Sequence, residues 1–182
     1  MGDSDAVSTP APSSDGAFKA EELARFEEPW AAAFAPGTQV LFVTERGGAI
    51  KFLDMKAGRA GTVSGAPQVD YGGQGGLGDI AFLPAEASGS LSRRTIYLSW
   101  AEAGTGDTRG AAVGRGTLVC KEADACRIEG LRVIWRQPKV TGRGHYSHRI
   151  AVSPDGRHLF VSSGDRQKMD PAQDTANNLG SI

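Results

Sequence analysis

The sequence predicts an all-β fold, a β-propeller of which about the first three blades are present. Three observations carry that reading. A strand, a turn and a second strand ending in charge recur three times along the chain. The apolar residue before each turn, Phe34, Phe82 and Val152, falls at spacings of 48 and 70. The first spacing is near one propeller blade of roughly 40–50 residues, and the second implies a blade with an insertion. Glycine is abundant at 25 residues and scattered, which suits many tight turns between short strands better than long helices. A β-sandwich also strings short strands on turns and is the competing architecture.

Residues 1–17 are mostly Ser, Pro, Ala, Asp and Gly, with too little apolar side chain to offset the entropy of ordering, so they read as a flexible tail. The tail lacks the basic start and apolar stretch of an intact secretory signal. Residues 18–182 read as the N-terminal portion of a propeller domain. A short apolar-polar stretch, Phe18 to Arg25, precedes the first repeat, Ala33 to Gly37 followed by Val40 to Arg46. The second is Ile80 to Pro84 followed by Ile96 to Glu102, and the third Ile150 to Gly156 followed by His158 to Asp165. Gly48 to Asp54, Gly110 to Val119 and Leu131 to Arg136 are expected as outer strands of the blades. Six blades would need on the order of 240–300 residues, so this chain holds about three. Leu179 to Ile182 reads as the opening of a further strand, which makes the propeller incomplete at the C-terminus.

With 20 Lys and Arg against 21 Asp and Glu, and no basic block, charge alone would not hold a nucleic acid or an anionic membrane. No apolar run approaches the roughly 18 residues that a membrane span needs.

Three polar stretches sit where propeller loops gather at one mouth of the channel. Gly72-Gly73-Gln74-Gly75-Gly76-Leu77-Gly78-Asp79 enters the second repeat; its glycines would allow close approach to a planar ligand, and Gln74 carries both a donor and an acceptor. Taken alone, the run is better read as a structural turn. Gly142 to Arg149 enters the third repeat and contains His145 and His148. A histidine there suits a general base, while a zinc site lacks a neighbouring carboxylate or Cys at a familiar spacing, and at least one of the pair is expected to be structural. Arg149 is expected to anchor its turn through a carboxylate. Gly164 to Asp174 leaves the third repeat and offers Arg166 and Lys168 to an anionic ligand, or Asp165, Asp170 and Asp174 to a divalent cation. Cys120 and Cys126 bracket a polar hairpin turn; a disulfide across it would favour an oxidising compartment, and two free thiols remain the alternative.

These residues resemble the glucose/sorbosone dehydrogenase family, the soluble quinoprotein aldose sugar dehydrogenases. Glu28-Pro29-Trp30-Ala31, Val43 to Gly47, the run at 72–79, Tyr97 to Glu102, the Gly-His-Tyr-Ser-His-Arg run at 144–149 and Gly164-Asp165-Arg166 occur in the family's order. The resemblance implies a six-bladed propeller holding pyrroloquinoline quinone (PQQ) and calcium at its mouth. It implies oxidation of an aldose at the anomeric carbon to the lactone, with electrons passing to a further acceptor, in a periplasmic or secreted protein. His145 matches the family's catalytic base, Gln74 a cofactor-contacting glutamine, and Lys168 the position of a positive side chain beside the quinone, with Arg166 next to it. The metal ligands are not identifiable. Gly144, where glucose-specific members carry an acidic residue, and Lys168-Met169 in place of an Arg-Asn pair favour the aldose-type branch.

A propeller that kept the fold and lost the chemistry, binding a ligand or protein, is the alternative function. Hydrolysis is weaker, because no Gly-x-Ser-x-Gly elbow occurs.

Overall fold

The computed structural model describes residues 19–121 and 125–182. The tail expected over residues 1–17, with Phe18, lies outside the described residues, as do residues 122–124 at the tip of the Cys120–Cys126 hairpin. No helix among the described residues is long and apolar enough to cross a membrane.

Among the described residues, ten strands form three antiparallel sheets. Blade one is β1 (Pro29–Phe34), β2 (Val40–Glu45), β3 (Ile50–Asp54) and β4 (Arg59–Val63), hydrogen-bonded in chain order. Blade two repeats that meander with β5 (Leu77–Phe82), β6 (Arg93–Ala103), β7 (Arg109–Cys120) and β8 (Cys126–Arg136). The third sheet holds β9 (Ser147–Val152) and β10 (Leu159–Ser163). Ser181 pairs with Ser163 through two backbone hydrogen bonds of 2.7 and 2.9 Å, so the segment expected to open a strand does lie against β10.

The first strands of the sheets pack side by side, β1 against β5 and β5 against β9. Sheets joined through their first strands, with each meander running outward, are propeller blades and not the two faces of a sandwich. Asp79 of β5 fixes one of these joints, because its Oδ2 accepts the Ile150 N–H at 2.8 Å and faces Arg149 Nε at 3.4 Å. Arg149 thus meets the carboxylate expected of it. The core lies between blades one and two, where Phe42 packs against Phe52 and Phe82 with ring centroids 6.0 and 5.4 Å apart.

Two sequence expectations change. β3 and β7 are third strands, paired on both sides, and the outermost positions belong to β4 and β8. The extra length of blade two is taken up by strands of 11, 12 and 11 residues in β6, β7 and β8, against 5 or 6 in β2 to β4. These long strands raise the wall of the mouth around the 70–76, 137–146 and 164–174 loops. At the opposite end Cys120 and Cys126 form a disulfide between paired positions of β7 and β8.

Candidate active site

The three loops singled out in the sequence meet around His145. Its backbone N–H donates to Gln74 Oε1 at 2.8 Å, and its Nδ1 lies 2.8 Å from Asp165 Oδ1. The side chain remains half exposed. Asp165 is held below the usual carboxylate range, first by the His145 ring and then by the Gln167 N–H. An ionised carboxylate only accepts, so His145 donates through Nδ1, and in the neutral ring Nε2 is the bare nitrogen. Gln74 is itself fixed, its N–H donating to Arg143 O at 2.8 Å.

The loops that hold this pair are conformationally costly. Six of the seven described non-glycine residues with positive φ are His145, Ser147, His148, Arg166, Gln167 and Met169, at φ between 50° and 61°. Each such residue costs roughly 1–2 kcal/mol, a cost that persists only where surrounding contacts over-determine the backbone. Close packing supplies those contacts. A Cβ on Gly164 would overlap the carbonyl of His145, and one on Gly73 would come within 2.5 Å of Arg143 O. The same holds along the 72–79 run, where a Cβ on Gly75 would come within 2.7 Å of Asp70 O, one on Gly76 would overlap Arg46 O and one on Gly78 the His148 ring. These glycines serve loop-to-loop packing, which is the structural-turn reading of that run.

His148 is the structural histidine of the pair. It is 1% exposed, stacks on Trp30 with centroids 5.8 Å apart, meets Tyr146 edge-on and sits 2.9 Å from Ser99 Oγ through Nδ1. Burial pushes its imidazole down to about 4, so it is neutral near pH 7.

Arg166 differs from the anion-binding side chain expected. It is 1% exposed, lies 3.8 Å over the Tyr146 ring, and donates to Gly144 O, Arg109 O and Gly142 O at 2.8, 2.7 and 2.6 Å. Its donor fork is spent on the main chain, which leaves no face for a cofactor. Lys168 is exposed, with Nζ 3.1 Å from Thr141 Oγ1. Asp165, Asp170 and Asp174 do not converge, and no group of three His, Cys, Asp or Glu among the described residues could hold a metal ion. Asp165 is committed to His145, and Asp174 accepts from Ala176 N–H and the Asn177 amide.

Sequence reasoning missed three supports. Asp165 is the hydrogen-bond partner of the His145 ring. Gln137, 1% exposed, accepts from Ala111 N–H at 3.2 Å and donates to Ser163 Oγ and Gly164 O at 2.9 Å each, tying the 164 loop to β7. Asp70 lies 3.0 Å from Arg109 Nε and 3.2 Å from Arg143 Nη1, joining the Gln74 loop to the His145 loop. Their only signal was a polar residue beside a glycine-rich turn, which many surface loops share.

The donor set suits an anionic planar cofactor. Lys168 Nζ and the Gln74 Nε2 amide belong to loops that share one mouth, and the carboxylate beside them, Asp165, is already paired with His145.

Residues 26–182 match the model of the Glucose / Sorbosone dehydrogenase family. The chain is 34% identical over 151 residues to aldose sugar dehydrogenase YliI of Escherichia coli strain K12, covering 82% of this chain and 38% of that protein. The apo-form crystal structure of the soluble E. coli aldose sugar dehydrogenase superimposes with a TM-score of 0.72 at 33% identity, over 85% of this chain and 42% of that one. The PQQ-bound form of aldose sugar dehydrogenase from Streptomyces coelicolor gives a TM-score of 0.69 at 26% identity, over 86% and 43%. The chain thus spans about two fifths of the length of these relatives. Strand order, blade packing and the match over residues 26–182 together show that the chain belongs to the glucose/sorbosone dehydrogenase family.

Proposed function

We propose that the protein oxidises an aldose at its anomeric carbon to the lactone, using PQQ, with His145 as general base. The observation that carries this is the His145–Asp165 pair at the propeller mouth, 2.8 Å apart, with the second ring nitrogen open to solvent. Nε2 takes the proton of the anomeric hydroxyl as the carbonyl forms. Asp165, ionised and bonded to Nδ1, fixes the tautomer and stabilises the imidazolium produced. Gln74 Oε1 and the 164 loop keep the ring from turning away. PQQ, when bound, supplies the two-electron oxidant for the hydride leaving the anomeric carbon. Lys168 and Gln74 Nε2 are the side chains of this chain that would hold its anionic edge. No step is assigned to calcium, because the described residues do not assemble a site for it. The disulfide supports an oxidising compartment, the periplasm or the exterior, with a separate electron acceptor downstream.

The test is dye-linked oxidation of an aldose panel by the protein at its full natural length, after addition of PQQ and calcium. Aldose oxidation that His145→Ala abolishes, and that Asp165→Asn lowers about a hundredfold or more, is expected. A folded, PQQ-binding protein that oxidises no aldose would sink the dehydrogenase reading and leave a binding module.

A further inference from the structure

We infer that Arg166 is the positioning residue of the His145 base, acting on the reaction only through the backbone of residues 142–145. Its kinetic side rests on the proposed sugar oxidation; its structural side does not.

The guanidinium is planar, with its donors in a fixed fork, and here the fork spans three carbonyls of two separate elements. Nε and Nη2 take Gly144 O and Gly142 O, on the loop that ends in His145, while Nη1 takes Arg109 O at the start of β7. The backbone N–H of Arg166 adds a contact to His145 O at 3.3 Å. The Tyr146 ring closes the other face at 3.8 Å. The neighbouring residue, Asp165, holds the imidazole. One side chain therefore fixes the loop that carries the base to the wall of blade two, beside the residue that orients its ring.

The cost of this arrangement points to its purpose. A cation packed against carbonyls and a ring, without a carboxylate partner of its own, has lost water without gaining an opposite charge. An apolar side chain would fill the same space without that cost, but could not satisfy three main-chain acceptors. The loop it crosses contains Gly142 at φ 97° and His145 at φ 50°, a path the chain adopts only when held. Lysine could not substitute, because a single ammonium on a flexible stem cannot reproduce the fork.

Arg166→Met keeps the length and removes every donor; Arg166→Lys restores one charged donor. In the protein at its full natural length, nitrogen NMR of the His145 imidazole reads its tautomer directly. The wild type is expected in the Nδ1–H form, Arg166→Met as a mixture of the two, and Arg166→Lys between them. In the full-length holoenzyme, kcat is expected to fall about 10- to 100-fold in Arg166→Met, with KM changed less than about threefold, because the base is displaced while cofactor and sugar contacts stay. A variant that loses kcat with the His145 tautomer unmoved, or keeps both at wild-type values, overturns the inference. If Arg166→Met does not fold, Tyr146→Leu, which removes the ring beneath the guanidinium, is read by the same two measurements. A wild type that oxidises no aldose defeats the proposed function alone, and the tautomer shift then decides the role of Arg166.

Discussion

Gln74 Oε1 accepts the backbone N–H of His145 at 2.8 Å, across 71 positions of sequence and from the neighbouring blade. The family resemblance gives Gln74 to the cofactor, yet its oxygen is already used to hold the His145 backbone. Only its Nε2, which bonds no group among the described residues, is left for a ligand. Gln74→Glu keeps an acceptor for His145 and puts a negative charge where the amide donor stood. It should weaken PQQ binding by about tenfold or more while leaving the His145 tautomer in place. Gln74→Ala should disturb both. Titration of PQQ absorbance, together with imidazole NMR, separates the two variants.

His148 makes the fold acid-sensitive. Its folded-state value of about 4 lies below the ordinary imidazole value near 6.5, so the folded protein binds fewer protons than the unfolded chain. The stability this group contributes is complete above about pH 6.5 and is lost as pH falls toward 4, to a limit of about 3 kcal/mol. Urea unfolding at pH 7 and pH 4.5 should show a drop that His148→Asn reduces. An equal pH drop in both proteins would place the acid sensitivity elsewhere.

Gly164 has no room for a side chain. Alanine there would drive a methyl into the carbonyl of His145, which is main chain and cannot swing aside, with Ser147 Oγ also close by. A loss of about 1–3 kcal/mol is expected, seen as a fall in Tm of several degrees. Because the atom displaced belongs to His145, kcat should fall more than KM rises. Gly89, around which nothing lies within 4 Å, is the matched control and should tolerate alanine.

The Cys120–Cys126 disulfide closes a loop with a sequence separation of 6 at the end of blade two remote from His145. So small a loop is worth about 2 kcal/mol by chain entropy. Reduction, or Cys120→Ser with Cys126→Ser, should lower Tm without changing kcat or the tautomer of His145. A loss of kcat in the folded, reduced protein would contradict the separation of the two ends.

Most strands were legible because their apolar residues sit on the β2, β5 and β6 faces that pack between blades, where burial and sequence pattern coincide. β4 was not, since Arg59, Ala60 and Thr62 are exposed and only Val63 is buried. Nothing in that stretch distinguishes a solvated edge strand from a turn. His145 stood out as an imidazole in a glycine-flanked loop, but its partner lies 20 residues away and its backbone acceptor 71 away. Such pairings are set by how blades stack, which one-dimensional spacing does not encode. Arg166 shows the same limit in reverse. A charged residue in a polar loop reads as solvated or ligand-binding, and only the placement of three carbonyls and a tyrosine ring reveals a buried strut.

Ser64, the residue after β4, donates to Cys126 O at 3.1 Å and accepts from the Ile128 N–H at 2.8 Å, adding one parallel rung to the edge of β8. The next residue, Gly65, has its Cα pressed against the same strand, where a Cβ would lie 2.7 Å from Ile128 O. This stitch means that blade one cannot peel from its outer edge without breaking its hydrogen bonds to the edge of blade two. The two sheets should therefore share one opening event, and the amides of Ile50, Ser64 and Ile128 should exchange with solvent at a common rate.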